Sequence, residues 1–107
     1  MNFICSKQKL QEGISIVTKA ITGKTTMPIL EGIYIEANNE GVTLIGSDMD
    51  VSIETKVEAT VITPGKIVLD ARLFGEIIRK LPNSDVKIEI ADNDLIQVTC
   101  EKSVFNL

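Results

Sequence analysis

Hydrophobic and polar positions along this chain switch from a strand period to a helical one twice, and each switch opens the same succession of elements. Asn2-Phe3-Ile4-Cys5 reads as a strand, and Ser6 stands where it caps a helix running to about Ile21. In that helix Leu10, Ile14, Val17 and Ile21 recur at spacings of four, three and four, one apolar stripe, with Lys9, Glu12, Ser15 and Lys19 opposite. The pattern then repeats. Lys66-Ile67-Val68-Leu69 reads as a strand and Asp70 as the cap of a second helix running to about Leu81. Phe74, Ile77, Ile78 and Leu81 form its stripe, while Arg72 and Arg79 share the outer face with Lys80 towards its edge. Ser and Asp suit the cap because their side-chain oxygens accept from amides of the first turn that have no partner within the helix.

Between and after the helices the period is two. Val51, Ile53, Thr55, Val57 and Ala59 alternate with Ser52, Glu54, Lys56 and Glu58, the signature of a strand with one wet face. Val86, Ile88 and Ile90 alternate with Lys87 and Glu89, and Ile96, Val98 and Cys100 with Gln97 and Thr99. Turn residues separate these runs at Asn38-Asn39-Glu40-Gly41, Ser47-Asp48-Met49-Asp50, Asp92-Asn93-Asp94 and Glu101-Lys102-Ser103. Short links between strands imply antiparallel hairpins. The expected fold class is therefore α+β: two β-α-β-β-β units related by a pseudo-twofold, with two helices on one face of antiparallel sheet.

Composition limits what such a domain can do. A chain of 107 residues forms one domain with a core of its own. Its aromatics are only Phe3, Tyr34, Phe74 and Phe105, so Ile, Val and Leu must fill the core. No apolar run approaches the ~20 residues of a membrane span, and the N-terminus lacks a charged stretch followed by an apolar one, so a cytoplasmic protein is expected. Cys5 and Cys100 lie in strand-like segments, fit no metal spacing, and read as buried thiols in a reducing compartment. Histidine is absent, which removes the commonest general base and zinc ligand. The end at Leu107, in or just after a strand, suggests a fragment of a longer chain.

Charge is unevenly placed. The net charge is −4, yet the first helix with its exit loop (Lys7, Lys9, Lys19, Lys24) and the second helix (Arg72, Arg79, Lys80) hold seven of the eleven bases. Those stretches contain only the acids Glu12, Asp70 and Glu76. A solvated face with Glu–Lys pairing is the ordinary meaning of such a helix. Two basic helix faces on an otherwise acidic body favour a polyanionic partner instead.

Two motifs fail on their context. Gly23-Lys24-Thr25 resembles the end of a phosphate-binding P-loop, but Thr18 stands where that motif needs glycine, and the segment follows a helix rather than a strand. Asp48 and Asp50 form a carboxylate pair without a third ligand, and a hairpin turn explains them better than metal or acid–base chemistry. No catalytic residue, metal site or cofactor is expected.

Several segments, taken in order, carry a family resemblance. Gly23-Lys24-Thr25-Thr26-Met27-Pro28-Ile29-Leu30 after the first helix, Gly46-Ser47-Asp48, Asp70-Ala71-Arg72-Leu73-Phe74, Leu81-Pro82 and Ser103-Val104-Phe105-Asn106-Leu107 are collinear with one known domain. Together they resemble the first domain of the bacterial sliding clamps, the beta subunits of DNA polymerase III. The resemblance covers residues 1–107 and about the first third of a three-domain family chain.

It implies a head-to-tail homodimeric ring around duplex DNA, helices lining the hole and sheets forming the wall, which tethers the replicative polymerase. Such a lining attracts phosphates without reading bases. By analogy Arg72, Arg79 and Lys24 contact phosphates, followed by Lys7, Lys9 and Lys80. Lys24 keeps the charge of the arginine frequent there in the family but not its fork. Phe105 and Lys102 fall on the strand that meets the partner subunit, although Phe105 equally suits the core. DNA polymerase and clamp loader are expected to bind later domains. The competing reading is an acidic α+β interaction or dimerisation module with no DNA role.

Overall fold

Both expected helix starts form through local capping. The Oγ of Ser6 accepts from the Lys9 amide at 3.2 Å, and the Oδ1 of Asp70 accepts from the Leu73 amide at 2.8 Å. A computed structural model describes residues 1–21, 32–47, 51–91 and 95–107. The loop expected at 23–30, with Lys24, and the turns expected at 48–50 and 92–94 lie outside the described residues.

The elements are β1 (Asn2–Ser6), α1 (Lys7–Thr18), β2 (Gly32–Asn38), β3 (Gly41–Ser47), β4 (Ser52–Val57), β5 (Thr60–Thr63), β6 (Gly65–Asp70), α2 (Ala71–Lys80), β7 (Asp85–Ile90), β8 (Ile96–Cys100) and β9 (Ser103–Asn106). Helix α1 ends before the expected Ile21. The amides of Lys19, Ala20 and Ile21 bond to the carbonyls three residues back, a tightened final turn that uses acceptors left over at the helix end. Helix α2 stops at Lys80 because Pro82 pushes Leu81 into extended backbone (φ −74°, ψ 154°).

The antiparallel sheet forms as two sheets, ordered β4-β3-β2-β6 and β5-β1-β7-β8-β9. Each unit lends its first strand to the other: β1 pairs with β7, and β6 pairs with β2. Exchanging the units maps β4-β3-β2-β6 onto β9-β8-β7-β1, the order a pseudo-twofold requires. The two caps obey it as well. Ser6 lies opposite Asp85 at the start of β7, and Asp70 opposite Gly32 at the start of β2.

Strand β5 is the departure. Alternation continues from Val51 to Ala59, but pairing with β3 ends at Val57, and Val61 and Thr60 pair instead with Phe3 and Ile4 of β1. A period of two records which face a residue occupies, not which sheet its backbone joins, so the crossing at Glu58-Ala59 leaves no mark in the pattern.

One continuous core joins both sheets and both helices. Phe3, Leu10, Val17, Ile33, Ile35, Leu44, Phe74, Ile78, Val86, Ile88 and Val98 are fully buried, and burying one such side chain contributes about 1.5–3 kcal/mol. No charged or polar residue is buried with them among the described residues. Two glycines set how closely α1 seats on its sheet. A Cβ on Gly13 would lie 2.8 Å from Val57 Cγ2, and one on Gly46 would lie 2.3 Å from the Val17 carbonyl oxygen. The second contact is with backbone, so β3 receives the end of α1 only where it has no side chain.

Candidate nucleic-acid interface

Helices α1 and α2 lie against one another. The approach does not depend on the glycine at 75: a Cβ there would stand 3.7 Å from Ile14 Cγ2, ordinary contact distance. A shallow groove runs between the helices, bordered by Gln11, Ser15 and Thr18 of α1 and by Arg72, Glu76 and Arg79 of α2, with Gly75 and Ile14 below.

Arg72, Arg79 and Lys80 are all exposed, on the outer side of α2 as the sequence indicated. Among the described residues the ion pairs are Lys9–Glu58 and Lys87–Glu89, so none of these three bases is neutralised by a carboxylate in contact. Arg79 and Lys80 also occupy the last turn, where the negative end of the helix dipole favours cations.

On α1 the bases are engaged differently from the expectation. The Nζ of Lys7 donates to the carbonyl oxygens of Leu81 (2.7 Å) and Arg79 (3.1 Å), so this ammonium closes the C-terminal end of α2. Lys9 pairs with Glu58, just beyond β4, and its hydrogen bond and charge hold the Glu58 carboxyl below the usual carboxylate range. The outward positions of α1 otherwise carry Gln8, Glu12, Ser15, Ile16 and Lys19. The cationic row is thus an α2 feature, and α1 supplies a mostly uncharged bank beside it. Sequence reasoning placed Lys7 and Lys9 correctly on α1 but had no means of seeing partners about fifty and seventy residues away.

The residues expected at a subunit seam lie on and just before an edge strand. β9 is an edge of the five-stranded sheet, Lys102 is exposed in the turn before it, and Phe105 is half-buried against the core while lying opposite Val98. Val104 on the same strand is 52 % exposed, an apolar side chain on an edge with unpaired backbone groups. Glu101 turns the chain into β9 with left-handed backbone (φ 52°).

Among the described residues Cys5 and Cys100 are free and buried, no cluster of three or more His, Cys, Asp or Glu could hold a metal ion, and no helix is long and apolar enough to cross a membrane.

Comparison with known proteins agrees with the architecture. The family model "DNA polymerase III beta subunit, N-terminal domain" matches residues 1–107. The chain is 43 % identical to the beta sliding clamp of Bacillus subtilis and 40 % to that of Halalkalibacterium halodurans, in each case over all of this chain and 30 % of the relative. Among solved structures, the DNA polymerase sliding clamp of Bacillus subtilis superposes with a TM-score of 0.93 at 43 % identity. The beta subunit from DNA polymerase of Streptococcus pyogenes does so with 0.95 at 30 % identity. Each superposition takes in all of this chain, and 30 % and 29 % of the respective structures. The chain spans about a third of the length of these relatives and, over that span, belongs to the family of DNA polymerase III beta subunits as their N-terminal domain.

Proposed function

We propose that this chain is the first of three domains of a sliding clamp, a non-catalytic replication factor whose homodimeric ring encircles duplex DNA and tethers the replicative polymerase. The reading is carried by the family match over all of residues 1–107. The charge distribution supports it independently: Arg72, Arg79 and Lys80 form an exposed, unpaired row on a protein of net charge −4. These three residues attract backbone phosphates without reading bases, and the family resemblance assigns the same role to Lys24, which lies outside the described residues. Lys7 and Lys9 contribute less, since each already has a partner within the chain.

Few cations on an acidic body give weak contact, so topology rather than binding energy keeps such a protein on DNA. The edge strand β9, with Phe105 and Lys102, forms part of the seam with the second subunit, continuing the sheet across the junction. Polymerase and clamp loader engage domains beyond this chain. In this arrangement the protein works in the cytoplasm, where the chromosome is copied.

The test is retention on a closed circle. The full-length protein containing this chain, loaded onto circular duplex DNA, is expected to stay bound through gel filtration and to leave when the circle is linearised. Equal loss from circular and linear DNA would overturn the ring, and would favour an interaction module without a DNA role.

A further inference from the structure

Sliding along DNA needs a lining that takes hold of phosphates and lets them go. The groove between α1 and α2 brings both capacities together at one place. Arg72, Gly75, Glu76 and Arg79 stand at i, i+3, i+4 and i+7 of one helix, so they share a face, and that face borders the groove. At a rise of about 1.5 Å per residue the two arginines begin about 10 Å apart along the axis, with Gly75 and the side chain of Glu76 between them. Gln11 and Ser15, one turn apart on α1, form the opposite bank. Among the described residues neither side chain makes a hydrogen bond, whereas the Thr18 hydroxyl is already donated to the Ser15 carbonyl at 3.2 Å.

We propose that this inter-helix groove is a seat for one phosphate of the DNA backbone, with Arg72 and Arg79 as charged donors, Gln11 and Ser15 as neutral donors, and Glu76 as the group that keeps the hold loose. The proposal rests on the clamp reading and deepens it. Guanidinium groups suit phosphate because their planar fork presents parallel N–H donors. The amide of Gln11 and the hydroxyl of Ser15 add donors without charge, so they orient a phosphate without raising the electrostatic attraction. Glu76 lies within one turn of both arginines but in ion-pair contact with neither. Its carboxylate therefore acts on the seat through space, repelling a phosphate that the arginines attract. In exposed surroundings such a repulsion changes affinity only a few-fold, which shortens residence without abolishing contact.

The 107-residue chain closes its own core and can be tested directly by ¹⁵N NMR at about 20 mM salt, a low ionic strength at which screening is weak. A mixed-sequence duplex of about 12 base pairs, roughly one helical turn and so a single site's worth of phosphates, is the probe. The expected result is a set of shifts at the Gly75 and Ser15 amides, the Gln11 side-chain amide and the Arg72 and Arg79 Nε groups. E76Q should tighten binding about threefold, with the gain lost at about 0.5 M salt as screening shortens the reach of the carboxylate. S15E, an exposed change to a good helix former, should weaken it by about the same factor and erase the Gly75 shift.

Shifts confined to Arg72, Arg79 and Lys80, with Gly75, Gln11 and Ser15 unmoved, would overturn the seat while leaving the DNA-facing surface standing. No shift on either helix would overturn both. Inorganic phosphate giving the same shifts at the same phosphate concentration would overturn the assignment to DNA and make the groove a general anion site.

Discussion

The ammonium of Lys7, at the start of α1, donates to the carbonyl oxygen of Leu81, just past the end of α2, at 2.7 Å. The same nitrogen reaches the Arg79 carbonyl, and the Lys7 amide donates to the Ser84 carbonyl at 3.0 Å, so one residue ties the beginning of one helix to the exit of the other. Leftover carbonyls at a helix end need donors, and a cation there also meets the negative end of the dipole. K7M keeps the length of the stem and removes the charge and donors. It should lower the unfolding free energy by about 1 kcal/mol in a urea titration and speed amide exchange at the last turn of α2. An unchanged midpoint with unchanged exchange would show that the contact holds nothing in place.

Gly46 and Gly75 make a matched pair with opposite expectations. A methyl group at 46 would meet the Val17 carbonyl oxygen at 2.3 Å, and neither the strand nor the helix backbone can yield without unseating α1. G46A should cost about 3 kcal/mol or more, the range of overpacking and backbone displacement in a core. At Gly75 the nearest atom would be 3.7 Å away and the residue is mid-helix, so G75A should stabilise by up to about 1 kcal/mol through helix propensity. Thermal unfolding of both variants checks the contrast. Similar melting temperatures would mean that α1 does not rest on β3 as described.

The thiols give a pH expectation. Burial, with the nearby Asp85 charge, pushes the Cys5 thiol up to about 12, and burial likewise raises Cys100, whose Sγ donates to the Pro82 carbonyl at 3.5 Å. Unfolded thiols ionise near pH 8.5, so above that value the unfolded chain sheds protons that the folded chain retains. Stability present below pH ~8.5 should therefore decline as pH rises towards the folded value of Cys5, by up to about 1.4 kcal/mol per pH unit for each such thiol. In the native protein at pH 8 a thiol-reactive dye should label neither cysteine, and both should react in denaturant. Rapid native labelling would contradict their burial.

Local physics was legible in the sequence and long-range pairing was not. Ser6 and Asp70 could be assigned as caps because a cap bonds to an amide three residues away. The stripes Leu10-Ile14-Val17 and Phe74-Ile77-Ile78 could be assigned because a helix buries one side. The outward placement of Arg72, Arg79 and Lys80 followed from the same period. By contrast, the exchange of first strands between units depends on which edges meet, and β5 leaves one sheet for the other without breaking alternation. Lys7 and Lys9 looked equivalent to the α2 bases because nothing near them in sequence announces Leu81 or Glu58 as partners. Part of the basic surface expected on α1 is consequently engaged in holding the domain together.

The last expectation separates holding DNA by enclosure from holding it by affinity. On the ring reading proposed above, the 107-residue chain alone would lack the rest of the ring, and its exposed helix bases sit on a body of net charge −4. Its dissociation constant for linear duplex should lie near the weak end of non-specific binding, about 10⁻⁴ M at physiological salt. It should not stimulate polymerase processivity. In the full-length ring, R72A and R79A should each weaken contact about equally on every DNA sequence and each reduce the log–log salt slope by about one. K7M should change that slope less than either, because the Lys7 ammonium is already engaged by the Leu81 and Arg79 carbonyls. Fluorescence anisotropy across a salt series measures all of these quantities. Micromolar, salt-insensitive binding by residues 1–107 alone would mean that α1 and α2 recognise DNA directly and that enclosure is not how the protein stays on it.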